Sequence, residues 1–220
     1  MQWPQKANKP SGCHFPNGLD SDSMLKVGIT GGIGSGKTTV CKIFSTLGIP
    51  VYYADSSAKH LMHTDPDLIE RIKLLFGNAA YDGNGQLNRK WIAEKAFQDK
   101  NLLEQLNAIV HPAVFQDTLS WFQSHQDKPY TLYEAAIMFE SGSYKLMDKM
   151  ITVFAPKEDR IERTMKRDEI SREDVLERIG KQLPEEEKMK RADFIIYNDH
   201  SQPLIEQVLT IHQQLLKISK

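Results

Sequence analysis

The chain has 220 residues, 40% hydrophobic and 26% charged, the balance of an ordinary globular protein of one domain or one domain with an insertion. Its 28 basic and 29 acidic residues leave a net charge of −1, which argues against a general nucleic-acid binder. No apolar run approaches the roughly 18 residues that span a bilayer, and two cysteines, Cys13 and Cys41, cannot build a disulfide framework. A soluble α/β protein of a reducing, cytoplasmic compartment is expected, with Cys41 a small buried residue.

Residues 1–23 carry Pro4, Pro10 and Pro16 and show neither a two-residue nor a helical period. They lack the apolar core of a secretory signal and, having no Arg, fit a transit peptide poorly. They read as a disordered leader or start-site extension, with Met24 as the start. Leu25-Lys26-Val27-Gly28-Ile29-Thr30 then alternates like a strand and runs into glycines. A helix with Val40, Ile43, Phe44 and Leu47 follows, closed by Gly48, and 49–53 is a second strand. Residues 56–125 are mostly helical, interrupted at Asp65-Pro66 and at Asp82-Gly83-Asn84-Gly85. Strands are expected at 130–133, 150–154 and 194–197, and helical periodicity at 158–182 and 203–217. Strands alternating with helices imply a parallel sheet covered on both faces. The helical stretch between the second and third strands is too long for a simple crossover and reads as an inserted substrate-binding part.

The strongest chemical signal is Gly31-Gly32-Ile33-Gly34-Ser35-Gly36-Lys37-Thr38, the P-loop pattern G-x-x-x-x-G-K-[ST], lying between an expected strand and an expected helix. Glycines let the backbone turn and aim successive N–H groups at phosphate oxygens, and the helix that starts here adds its positive end. Lys37 can reach the β- and γ-phosphates, and the Thr38 hydroxyl can ligate Mg²⁺. A GTPase would need a guanine-reading Asn-Lys-x-Asp, which is absent. Asp82-Gly83-Asn84-Gly85 matches a switch D-x-x-G but follows helical sequence and reads as a turn. Glu134, ending the third strand, is the nearest equivalent of a Walker B carboxylate.

Taken in order along the chain, these residues resemble the dephospho-coenzyme A kinase family. Thr30 to Thr39 is similar to its P-loop. Ala54-Asp55 is similar to the end of its Asp-Ala-Asp signature, with Tyr53 in place of the first Asp. Leu87-Asn88-Arg89 with Ala96-Phe97, and Leu106-Asn107-Ala108-Ile109-Val110-His111-Pro112, resemble its inserted part. Ile137-Met138-Phe139-Glu140 resembles a Pro-Leu-Leu-Phe-Glu stretch, with Ala136 where Pro is usual. Arg163, Arg167-Asp168, Arg178-Ile179 and Gln182 resemble its lid, and Ala192-Asp193 with Asn198 its last strand and adenine-side loop.

The resemblance implies a P-loop α/β/α sandwich with a five-stranded parallel sheet, a helical acceptor-binding insertion (57–128) and a lid (157–191). The nucleotide-binding core would be 24–56, 129–156 and 192–220. It implies ATP-dependent phosphorylation of the ribose 3′-hydroxyl of dephospho-CoA, with Mg²⁺, in a monomer or weak homo-oligomer that contacts neither nucleic acid nor membrane. Another small-molecule P-loop kinase and a non-catalytic nucleotide-binding regulator are the alternatives.

Asp55, at the end of the second strand, suits a carboxylate that orients a hydroxyl and takes its proton; it would equally suit a helix N-cap. Residues 157–191 hold 11 basic and 11 acidic residues. They read either as a solvated helix pair or as a closing lid. Arg160, Arg163 and Arg167 share one helical face, and Arg163 and Arg167 are the candidates for phosphate contact, with Arg178 either a further lid contact or a structural ion-pair partner. Gly32, Ile33, Gly34, Ser35, Gly36, Lys37, Thr38, Thr39 and Asn198 are expected to bind ATP. Asp55, Arg89 and His111 are expected on the acceptor side, although His111-Pro112 also reads as a helix interruption and Arg89 as a partner for an Asp. Trp91, Phe97, Phe115, Trp121 and Phe122 are expected to pack.

Overall fold

The computed structural model describes residues 24–219, apart from the side chains at 96–98 and 100. The expected leader with Cys13, and the Phe97 side chain, lie outside the described residues.

Among the described residues the chain forms a five-stranded parallel sheet in the order β2-β3-β1-β4-β5. The strands are β1 (Leu25–Thr30), β2 (Val51–Tyr53), β3 (Tyr130–Glu134), β4 (Lys149–Phe154) and β5 (Phe194–Tyr197). β1 lies centrally between β3 and β4, in register Ile29 to Glu134 and Ile29 to Ile151. Val27, Ile29, Leu132, Ile151, Val153 and Ile196 are fully buried, as expected for strands covered on both faces. Gly28 has no room for a side chain, because Met138 Sδ and Met150 Sδ would each lie 2.6 Å from a Cβ there.

The helices are α1 (Lys37–Thr46), α2 (Ala54–Thr64), α3 (Pro66–Phe76), α4 (Arg89–Gln98), α5 (Lys100–Gln123), α6 (Met138–Ser141), α7 (Lys157–Asp168), α8 (Arg172–Gly180), α9 (Glu185–Arg191) and α10 (Leu204–Ile218). Two packing units emerge: Tyr53–Gln123, and the described remainder at 24–52 and 124–219.

The first unit is helical, with its own core of Leu68, Ile72, Phe76, Ala80, Tyr81, Ile92, Val110 and Val114. Its caps follow from sequence. Asp65 accepts from Asp67 N–H and Leu68 N–H ahead of Pro66, and Asn88 accepts from Trp91 N–H. Asp82 Oδ1 accepts from Asn84 N–H and Gln86 N–H, which makes Asp82-Gly83-Asn84-Gly85 a turn. The interruption expected at His111-Pro112 does not occur: α5 runs through Pro112. Burial of Val110 and Val114 on either side offsets the roughly 3 kcal/mol that an interior proline costs.

In the second unit α1 packs beside α10. The periodicity across 158–182 resolves into two helices, α7 and α8. Glu169 takes a left-handed conformation, φ 54°, that ends α7. Ser171 and Asp174 then form a reciprocal capping box that starts α8. No helix of the described residues is long and apolar enough to cross a membrane.

Candidate active site

The glycine loop leaves the carboxyl end of β1, the edge where open parallel sheets bind ligands. Gly31, Gly34 and Gly36 have φ of 151°, 77° and 96°, values that L side chains rarely adopt. The loop is also boxed in. A Cβ on Gly34 would strike Arg160 O, and one on Gly36 would strike Asn198 Nδ2. Conformation and space therefore both require glycine. Lys37 starts α1 and is 8% exposed; its ammonium donates to Gly31 O at 2.9 Å and Gly32 O at 3.2 Å.

The loop's amides divide into two sets. Gly32 N–H donates to Glu185 Oε2 at 3.2 Å, and Ile33 N–H to Gln182 Oε1 at 2.9 Å. Gly34 N–H and Gly36 N–H have no acceptor among the described residues. Ser35 Oγ is buried without a partner. Such orphan donors at a helix N-terminus suit an anion. Thr38 and Thr39 are exposed in the first turn of α1. The Thr38 hydroxyl has no described protein partner and so suits an oxygen ligand for Mg²⁺. Glu134 is buried at the end of β3, opposite Ile29. Burial first, and the Glu134 charge second, push the Cys41 thiol well above its ordinary range, while Lys37 opposes them; both charges therefore act on one point of α1.

Asn198, just past β5, donates from Nδ2 to Ser35 O at 2.8 Å. It thus braces the loop from the segment that follows β5. Arg163 donates from Nη2 to Asp159 Oδ2 at 3.2 Å and to Asn198 O at 3.4 Å, and its Nη1 is buried with no partner. A cavity of about 570 Å³ is lined by Phe154, Lys157, Arg160, Gln182, Leu183 and Glu185 among others.

The sequence profile of the dephospho-CoA kinase family matches residues 25–203. The chain belongs to the dephospho-CoA kinase family. It is 42% identical over 178 residues to a dephospho-CoA kinase of Salinibacter ruber, covering 80% of this chain and 89% of that one. It is 38% identical over 187 residues to the enzyme of Bacteroides fragilis, covering 85% and 91%. Among solved structures, a Thermus thermophilus protein superposes with a TM-score of 0.76 at 35% identity, covering 87% of this chain and 97% of that one. This dephospho-CoA kinase family member is therefore a P-loop kinase, a transferase of coenzyme A biosynthesis that uses ATP.

The remaining expected residues of this kinase lie on α2, α4, α5 and α7. Arg167 is mostly exposed and gives Nε and Nη2 to the adjacent Asp168, which also receives Arg178 Nη1 at 2.8 Å. These three form one ion-pair group at the α7–α8 junction. Asp55 lies in the helical unit, in the first turn of α2 and two residues past β2. The helix starts at Ala54 with Tyr53 as its N-cap, so Asp55 is not the cap, and no described residue bonds its carboxylate. Arg89, at the start of α4, is exposed and pairs with no described Asp or Glu. His111 lies exposed on α5. Trp91 packs and donates Nε1–H to Phe76 O at 3.0 Å.

Sequence reasoning passed over the tightest neighbours of the loop. Arg160 is 4% exposed and pairs with Glu185 at 3.1 Å. Lys188, fully buried, bonds the same carboxylate at 3.2 Å. Arg160 carried a signal, its place on the arginine face of α7. Glu185 carried none, being the first of three consecutive glutamates.

Proposed function

We propose that this chain transfers the γ-phosphoryl group of ATP to the ribose 3′-hydroxyl of dephospho-CoA, giving coenzyme A and ADP. The observation that carries the residue-level reading is the built phosphate cradle after β1. It offers orphan Gly34 and Gly36 amides, the unpartnered Ser35 hydroxyl and the buried Lys37 ammonium on a strand-loop-helix frame.

The cradle residues Gly32 to Thr39 hold the triphosphate. Lys37 exchanges its two loop carbonyls for β- and γ-oxygens, an anionic partner that bonds a cation more strongly than a neutral one. Thr38 is the protein ligand for Mg²⁺, which when bound neutralises charge on the β- and γ-phosphates. Asp55 orients the 3′-hydroxyl and accepts its proton as the new P–O bond forms and the β,γ-bridging P–O bond breaks, with ADP leaving. Arg163, with Nη1 free of protein partners, and Arg167 stabilise charge on the moving phosphoryl group. Asn198 sets the adenine-side wall. The helical unit, with Arg89 and His111, holds the acceptor. The enzyme acts in the cytoplasm on small molecules, as a monomer or weak homo-oligomer.

An ATP-consumption assay with dephospho-CoA, AMP, CMP and shikimate tests this reading, with product analysis of each reaction. Coenzyme A and ADP should form with dephospho-CoA and little turnover should occur with the others. AMP as the better acceptor would overturn it.

A further inference from the structure

Glu185 opens α9, and its side chain is 9% exposed. Its carboxylate accepts from Gly32 N–H of the glycine loop and from Lys188 Nζ of α9, and it is ion-paired with Arg160 Nη1 of α7. Two buried cations share one buried anion, so basic groups outnumber the acid by one beside the cavity that Arg160 and Glu185 line. Arg160 also leaves Nε buried without a hydrogen-bond partner. Its guanidinium lies so close over Gly32 that a Cβ there would collide with Nη1.

Two roles are open to a carboxylate in this place. It could stand in for a phosphate that ATP must evict, or it could hold the loop in shape for ATP. The distribution of donors decides between them. Glu185 and Gln182 occupy only the two amides of the loop's outer limb, Gly32 and Ile33. The donors left open, Gly34 N–H, Gly36 N–H and Ser35 Oγ, lie further along the loop, toward α1. A stand-in anion would sit on those donors. Glu185 instead pins the opposite limb and ties it to α7, whose Arg160 carbonyl and Thr164 hydroxyl leave no room for a side chain at Gly34.

We propose that Glu185 is a positioning residue for ATP. It fixes the outer limb of the P-loop through Gly32 and holds Arg160 against it, so that the open amides and the group's residual positive charge converge on the triphosphate. The choice of ATP as ligand rests on the kinase reading above.

Glu185→Gln keeps the size and an acceptor for Gly32 N–H but leaves Arg160 and Lys188 facing each other uncompensated. Calorimetric titration of Mg²⁺ and ATP into the full chain should show affinity weakened about tenfold. The KM for ATP should rise in parallel, while kcat at saturating ATP and the KM for dephospho-CoA stay within about twofold. Unchanged ATP affinity with a lower melting temperature would make Glu185 merely structural and overturn the proposal. Tighter ATP binding would overturn it in favour of the stand-in. Should Glu185→Gln fail to fold, Arg160→Gln combined with Glu185→Gln removes one charge of each sign. Its ATP affinity should also fall, and an unchanged value would again overturn the proposal. A wild-type chain that binds ATP but leaves dephospho-CoA untouched would remove the acceptor assignment and not this one, because the titration needs no acceptor.

Discussion

Lys37 and Asp55 illustrate how differently two functional side chains can be held. Lys37 is enclosed, its charge spent on two carbonyls of its own loop. Lys37→Ala should lower kcat by about 10²–10³-fold, the usual effect of losing one preorganised electrostatic contact, with far-ultraviolet circular dichroism unchanged. Near-normal turnover in the folded variant would exclude the loop from phosphate chemistry. Asp55 is exposed in the second position of α2, with no protein partner to satisfy. Its structural contribution is limited to the helix dipole, about 0.3–1 kcal/mol for a first-turn acid. Asp55→Asn should therefore leave the melting temperature nearly unchanged while kcat falls about 10²–10⁴-fold, the range for a lost general base. A nearly active variant would shift attention to Glu134 or Glu140, the latter accepting from Leu183 N–H at 2.6 Å.

At the scale of an element, the α7–α8 junction is set by one backbone residue and one carboxylate. Glu169 turns the chain and Asp168 receives guanidinium groups from both sides. The hydrogen bond from Arg167, ahead of smaller contributions from both arginine charges, holds the Asp168 carboxyl below the ordinary aspartate range. A depressed folded-state pKa gives stability that is present above the unfolded value of about 3.9 and is lost as the pH falls through the lower folded value. The group is open to solvent, so its contribution is small, about 0.2–1 kcal/mol per pair, and sensitive to salt. Urea midpoints of the wild type and Asp168→Asn should differ modestly at pH 6, and the gap should close below about pH 4. A gap that does not narrow as the pH falls below about 4 would mean that the junction does not depend on the Asp168 charge.

For the whole molecule, two cores mean two separable consequences of core damage. Ile72 is fully buried in the core of the helical unit. Ile72→Ala should cost about 2–5 kcal/mol, the transfer term plus the cavity left behind, read as a lower thermal midpoint. If the helical unit carries the acceptor, the KM for dephospho-CoA should rise while ATP affinity, measured by titration, stays within about twofold. An equal loss of both would show that the two units do not divide the substrates in this way.

Much of this molecule is local in its logic and therefore readable from the chain. Gly31 to Thr38 is contiguous, and its spacing alone requires positive-φ glycines between a strand and a helix. The strand segments are apolar runs bounded by turn residues, and all five fall within the sheet. Boundaries were less legible. Whether α2 begins at Ala54 or after Asp55 is a matter of one residue, and it decides whether Asp55 can be a cap. Pro112 reads as a break until the burial of its neighbours is known. The acidic neighbour of the glycine loop on α9 was not legible at all. Glu185, Glu186 and Glu187 are the same residue three times, and only the packing of α9 against β4 selects the first for burial. The bond from Gly32 to Glu185 joins positions 153 residues apart. Local propensity and periodicity reach a few turns along the chain, so the sequence by itself determined the phosphate loop and the parallel sheet. Which charges lean on that loop was decided by long-range packing and the desolvation it imposes.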